Sequence, residues 1–203
     1  MLPKLKVKNL SCSRADNLLF HDLNFEVVAG KNIEIIGSNG SGKTTLLRIL
    51  LGLINIGEGK LEWLDNEENY NDYRSIDCFY QGHSLGIKNL LSAHENLSLS
   101  SYSFGASEEK IAYALDRVGI KNHLSFTSEL SVGQKKRISI ARWLLKDFGI
   151  YFIDEPFSAL DDQATSLIIE IIEELNAKGA SFVITGHRAS DVISNQIFLD
   201  HEV

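Results

Sequence analysis

Residues 37–44 read Gly37-Ser38-Asn39-Gly40-Ser41-Gly42-Lys43-Thr44, and their spacing, G-x-x-x-x-G-K-[ST], is that of a loop that wraps phosphate groups. Three glycines without β-carbons let the backbone turn its N–H groups inward and form a concave anion nest. Lys43 brings a cation to the outer phosphates. Thr44 offers a hydroxyl suited to Mg²⁺, an ion that keeps most of its shell as water and phosphate oxygen. Such a loop needs a strand before it and a helix after it. Asn32-Ile33-Glu34-Ile35-Ile36 reads as a buried strand, and Thr45 to Leu51 as a helix. The expectation is a nucleotide held by residues Gly37 to Thr45.

Working outward, Leu5 to Leu10 and Leu23 to Val27 alternate apolar and polar residues, as half-buried strands do. Ala29-Gly30-Lys31 turns the second towards the strand that feeds the loop. Gly57-Glu58-Gly59 closes the first helix region, Lys60 to Leu64 is a further strand, and residues 65 to 74 (Asp65, Glu67, Glu68, Asp72) form a solvated loop. Ile76 to Tyr80 returns to strand pattern and ends in Gln81-Gly82-His83.

From about 89 to 145 the pattern is helical, with Leu90, Leu91, Ala93, Leu97 and Leu99 as one group. Ile111, Ala114, Leu115 and Val118 form another, behind an acidic start at Ser107-Glu108-Glu109. Strands resume at Gly149 to Ile153, Ala180 to Thr185 and Gln196 to Leu199, with a helix over 162–178 that puts Leu167, Ile168, Ile171, Ile172 and Leu175 on one face. Near-continuous apolar strands alternating with helices predict a parallel sheet covered on both sides. The fold class is therefore α/β: a mostly parallel core sheet, antiparallel strands at the N-terminus and a helical subdomain. The division expected is one domain over 1–203, with a nucleotide-binding core at about 1–86 and 147–203 and the helical part at about 87–146.

The 203 residues suit one domain. A net charge of −7 argues against a general nucleic-acid binder. Cys12 and Cys78 lack metal or C-x-x-C spacing and read as buried, reduced thiols. The N-terminus has no apolar secretory run, and no apolar stretch reaches the length that crosses a bilayer. The reading is a soluble chain without signal peptide or membrane span.

A second cluster of chemistry lies at Ile150-Tyr151-Phe152-Ile153-Asp154-Glu155. The strand buries its apolar residues and delivers two carboxylates to the end of the sheet where ligands of α/β folds sit. Asp154 suits a Mg²⁺ position, and Glu155 can polarise an attacking water.

Leu130-Ser131-Val132-Gly133-Gln134 resembles the LSGGQ signature of ABC-type ATPases, with Val132 where that family more often has Gly. The resemblance covers essentially the whole chain. It takes in the phosphate loop, the signature, the Asp154 strand, Ser158-Ala159-Leu160-Asp161 as the D-loop and His187 as the switch histidine. It implies ATP and Mg²⁺ as ligands, hydrolysis of ATP coupled to transport, and a head-to-tail dimer. Each ATP would lie between one copy's phosphate loop and, in trans, Ser131, Gly133 and Gln134 of the second copy, with Asp161 at the interface. Lys43, Glu155 and His187 would be catalytic, and Thr44 and Asp154 would hold the metal.

Two family landmarks depart. The aromatic that stacks on adenine falls on Arg14, a guanidinium that can stack on a base or equally point to solvent. The Q-loop glutamine falls on His83 with Gln81 two residues earlier, and either can serve the metal. Gly82-His83-Ser84-Leu85-Gly86-Ile87-Lys88, followed by Leu91-Ser92-Ala93-His94-Glu95-Asn96-Leu97, resembles one branch, the ATP-binding subunits of the cytochrome c maturation system. That branch implies a peripheral protein on the cytoplasmic face of the inner membrane, a separate transmembrane permease, further cytochrome c maturation proteins as partners, and handling of haem or its carrier. The competing readings are a subunit of another ABC exporter, for lipid, drug or peptide, and a soluble ABC-type ATPase acting on DNA or ribosomes. Lys135-Lys136-Arg137 is read as a solvated helix face, so no nucleic-acid partner is expected.

Overall fold

The structure, a computed structural model, describes residues 3–14, 17–63, 78–158, 160–187, 193 and 195–199. The acidic stretch 65–74, Leu64, Ile76 and Ala159 lie outside the described residues. Two compact units form, one from Met1–Gly82, Phe148–Ser158 and Ile172–Val203, the other from His83–Asp147 and Ala159–Ile171.

The first unit holds two sheets. In one, β1 (Pro3–Arg14) pairs antiparallel with β2 (Asn17–Val28) and with β4 (Glu58–Trp63), in the order β2-β1-β4. In the other, β5 (Cys78–Gln81), β6 (Ile150–Ile153), β7 (Ser181–Gly186), β3 (Ile33–Ile36) and β8 (Gln196–Phe198) run parallel in the order β5-β6-β7-β3-β8. The apolar runs explain the central places: every residue of β3 and β6 is buried. Tyr151 stacks on Phe182 at 4.6 Å, and Phe79 and Phe148 extend the ring cluster.

β1 and β2 are both longer than their alternating cores. Bulges between Val7, Leu10 and Cys12 break the period, so the strand outruns the pattern. Asn9 and Asp22 take positive φ there (48° and 50°) and are tied by Asn9 Nδ2 donating to Asp22 Oδ1 at 2.6 Å. Cys12 and Cys78 are in no disulfide among the described residues, and they are only half-buried against the core edge rather than within it.

After β3 the chain enters α1 (Lys43–Leu50), which buries Leu46, Leu47, Ile49 and Leu50 completely. At about 1.5–3 kcal/mol for each such side chain, this face anchors the loop that precedes it. Gly52 ends the helix with φ 69° and its N–H on the Ile49 carbonyl, the left-handed exit that glycine permits.

The second unit is helical: α2 (Ala93–Phe104), α3 (Glu108–Arg117), α4 (Val132–Ala141) and the start of α5 (Asp162–Ala177), which continues into the first unit's residues. Ser92 and Glu95 cap α2 reciprocally, Ser92 N–H donating to Glu95 Oε2 at 2.7 Å and Glu95 N–H to Ser92 Oγ at 3.1 Å. This corrects one expected grouping. Leu90 and Leu91 precede the cap and belong to a loop, Leu90 is 86% exposed, and of the five residues only Ala93 and Leu97 are buried. The loop is pinned instead by buried polar groups. Asn96 accepts from Lys88 N–H and donates to the Lys88 and Ser92 carbonyls, and Thr127 Oγ1 donates to the Lys88 carbonyl. Among the described residues, no helix is long and apolar enough to cross a membrane.

Candidate functional site

The loop from β3 to α1 uses its glycines at two places. Gly40 and Gly42 adopt φ 88° and 101°, where a β-carbon is strained. A β-carbon on Gly42 would also come within 3.0 Å of Leu19 Cβ, whereas one on Gly40 would meet nothing within 4 Å. The first N–H groups of α1 have no intrahelical acceptor and point to the loop mouth, as an anion site requires.

Lys43 is buried. Its ammonium donates to the Gly37 and Ser38 carbonyls at 2.7 and 3.0 Å and lies 3.9 Å from Glu155 Oε1. Thr44 Oγ1 donates to Asp154 Oδ2 at 2.8 Å. The loop hydroxyl and the strand-end carboxylate, separated by 110 positions in sequence, therefore meet, and both are hard oxygen donors of the kind Mg²⁺ takes. Ser41 Oγ, in the same loop, is buried with no hydrogen-bond partner among the described residues, an orphan that a phosphate oxygen would satisfy.

The carboxylates leave β6 on opposite errands. Asp154 N–H donates to the Gln81 carbonyl at 2.8 Å, continuing the register in which Gln81 faces Ile153. Glu155 turns to φ 53°, a conformation that costs a residue with a side chain roughly 1–2 kcal/mol. That turn brings Glu155 Oε1 to 3.0 Å from His187 Nε2. Thr185, near the end of β7 and 1% exposed, joins the two residues: its Oγ1 donates to Asp154 Oδ1 at 2.6 Å and accepts from Glu155 N–H at 2.9 Å. Sequence reasoning passed over Thr185. Its signal was a single hydroxyl ending an apolar run, two residues before His187.

A cleft of about 350 Å³ opens beside the loop, lined by Arg14, Asn17 and Leu19 on one side and by Asn39, Gly40, Gly42 to Thr45 and Glu155 on the other. Arg14 thus lines the cavity that holds the loop mouth. Gln81 is buried beside Asp154 in the first unit, and His83 is exposed in the second.

In the second unit, Ser131 caps α4. Its Oγ accepts from Gln134 N–H at 3.2 Å, and Gln134 Oε1 accepts from Ser131 N–H at 2.9 Å. Ser131, Val132, Gly133 and Gln134 are all exposed, Val132 to 78%. Asp161 caps α5, its Oδ1 accepting from Ala164 N–H at 2.7 Å.

A parallel sheet, a glycine loop entering a helix after β3 and two carboxylates at the end of β6 define a class: a phosphate-loop ATPase of ABC type. The ABC transporter family matches residues 20–158. Proteins named cytochrome c biogenesis ATP-binding export protein CcmA are similar along nearly the whole chain. The one from Methylococcus capsulatus is 39% identical, covering 93% of each chain, and the one from Nitrosococcus oceani is 38% identical, covering 94% of this chain and 88% of its own. A solved structure, the dimeric ATP-binding cassette MJ0796 in a post-hydrolysis state with ADP and Pi, shares the fold at TM-score 0.79 and 23% identity, covering 96% of this chain and 93% of that one. The chain belongs to the ABC transporter family, in its cytochrome c biogenesis ATP-binding export branch.

Proposed function

We propose that the chain is the ATP-hydrolysing, energy-coupling subunit of a membrane ABC transporter serving cytochrome c biogenesis. The observation that carries the chemistry is the convergence at one loop mouth of Lys43, the Thr44–Asp154 pair and the Glu155–His187 pair. The phosphate loop over Gly37 to Thr45 and the Lys43 ammonium grip the triphosphate. Thr44 and Asp154 would hold Mg²⁺, with Gln81 beside them, and the ion would supply charge neutralisation to the phosphates. Glu155 accepts a proton from the attacking water as its oxygen bonds to the γ-phosphorus. The bond to the bridging oxygen breaks and ADP leaves. His187 orients Glu155 and contacts the γ-phosphate. Arg14 flanks the base.

The γ-phosphate is closed off in trans by Ser131, Gly133 and Gln134 of a second copy, with Asp161 at the interface. The exposed start of α4 supports this: the capping box takes the Ser131 and Gln134 N–H groups, and those of Val132 and Gly133, which have no intrahelical acceptor, face outward to meet an anion from another chain. The permease is a separate chain, and this subunit binds it on the cytoplasmic face of the inner membrane. Haem or a haem carrier is the cargo class.

Glu155→Gln keeps the shape of the site and removes the proton acceptor. Nucleotide affinity should stay within about threefold of the parent while steady-state hydrolysis falls about 100-fold or more. Full turnover in that variant would take Glu155 out of the chemistry. In the host, loss of the chain should abolish haem-stained c-type cytochromes and spare b-type ones. Unchanged c-type cytochromes would refute the assignment to their biogenesis.

A further inference from the structure

We infer that Thr185 is a positioning residue for hydrolysis, acting on both strand-end carboxylates at once. The inference rests on the roles of Asp154 and Glu155 given above. Among the described residues Thr185 is not part of the cleft lining, and its hydroxyl bonds to Asp154 and Glu155. It is 1% exposed, at the end of β7, and both hydrogen-bonding roles of its hydroxyl are used across the β6–β7 boundary. The proton goes to Asp154 Oδ1 at 2.6 Å, and a lone pair takes the Glu155 N–H at 2.9 Å.

Each bond has a separate consequence. Asp154 is 5% exposed, and its two oxygens are held by two hydroxyls, Thr185 on Oδ1 and Thr44 on Oδ2. A carboxylate clamped from both sides cannot rotate, so the oxygen facing Thr44 keeps its direction towards the metal position. The second bond fixes the backbone of Glu155 at φ 53°. A residue with a side chain leaves that conformation unless something retains it, and leaving it would swing Oε1 away from His187 and Lys43. One hydroxyl therefore sets the aim of the metal carboxylate and of the general base. It also lies two residues before His187, on the strand that delivers the histidine.

A buried threonine that merely satisfied its own hydroxyl would predict a different outcome, and three variants separate the two. Thr185→Val keeps the shape and removes both bonds. Thr185→Ser keeps both bonds and removes a methyl. Thr185→Ala is the smaller alternative should the valine variant fail to fold. Steady-state hydrolysis, the thermal midpoint and the affinity for a fluorescent ATP analogue with and without Mg²⁺ are measured for each.

In the valine or alanine variant, kcat should fall about 10- to 100-fold with KM little changed, the pattern of a group whose effect is felt in the transition state. Affinity without Mg²⁺ should be that of the parent, since the phosphate loop is intact, and the gain on adding Mg²⁺ should shrink severalfold. The serine variant should restore both. The inference is overturned if valine and alanine variants turn over within twofold of the parent. It is equally overturned if serine is as impaired as valine, or if only the thermal midpoint moves. The Mg²⁺ arm needs no turnover, so a fully active Glu155→Gln would sink the catalytic reading while leaving the clamp on Asp154 to be judged on binding alone.

Discussion

Gly42 shows how a single atom can decide this site. It is the residue before α1, its φ is 101°, and the space where a β-carbon would stand is closed by Leu19 Cβ at 3.0 Å and Phe20 Cδ1 at 3.2 Å. Phe20 is a core residue that cannot yield. Gly40, at φ 88°, faces open space. Gly42→Ala therefore suffers strain and clash together, and Gly40→Ala only strain, on the order of 1–3 kcal/mol. Thermal melts and fluorescent-nucleotide titration should show Gly42→Ala losing several degrees and about tenfold or more in affinity, with Gly40→Ala closer to the parent. Equal losses in the two would mean that Leu19 and Phe20 do not constrain the loop.

At the scale of elements, the short apolar strands and the phosphate loop were legible because burial on both faces leaves a run with no alternation, and β3 and β6 are such runs. What was not legible arose from pairing partners far along the chain. The bulges that lengthen β1 depend on Asn9 meeting Asp22 and Asn24 of β2. Leu90 and Leu91 look helical, yet the Ser92–Glu95 cap starts α2 after them. Asp154 and Glu155 stood out in the sequence as two carboxylates closing an apolar run, whereas Thr185 acquires meaning only when β6 lies beside β7. A polar counterpart occurs at β4. Glu62 bonds Lys8 of β1 at 2.9 Å and Lys60 at 2.9 Å, and these two ammonium donors pull its carboxyl down to about 2 from 4.5. A lowered carboxylate adds stability that is in place above pH 4.5 and is lost as pH falls through about 2. Because the triad is exposed, the effect is small. Denaturant midpoints of the parent and Glu62→Gln should differ near neutrality and converge between pH 4.5 and 2. A constant gap across that range would show that the charge of Glu62 is not what β4 gains from it.

For the whole molecule, the decisive matter is that the proposed γ-phosphate contacts come from a second copy. A two-fold arrangement of identical chains uses one surface twice, so each dimer would build two sites from two loops and two signatures. Below the dimer's dissociation constant, the hydrolysis rate should then rise with the square of chain concentration, by mass action. A site complete within one chain would give a first-power dependence. Two inactive variants sharpen the test. Lys43→Ala removes the phosphate cation, and Ser131→Arg fills the exposed start of α4. In an equimolar mixture, half the dimers are mixed, and in each of these one site pairs an intact Lys43 with an intact Ser131. Mixing should therefore restore a measurable fraction of the activity that neither variant shows alone. Silence in the mixture, with mixed dimers demonstrated by differential tagging, would place the whole catalytic site in a single copy and remove the trans contact from the mechanism.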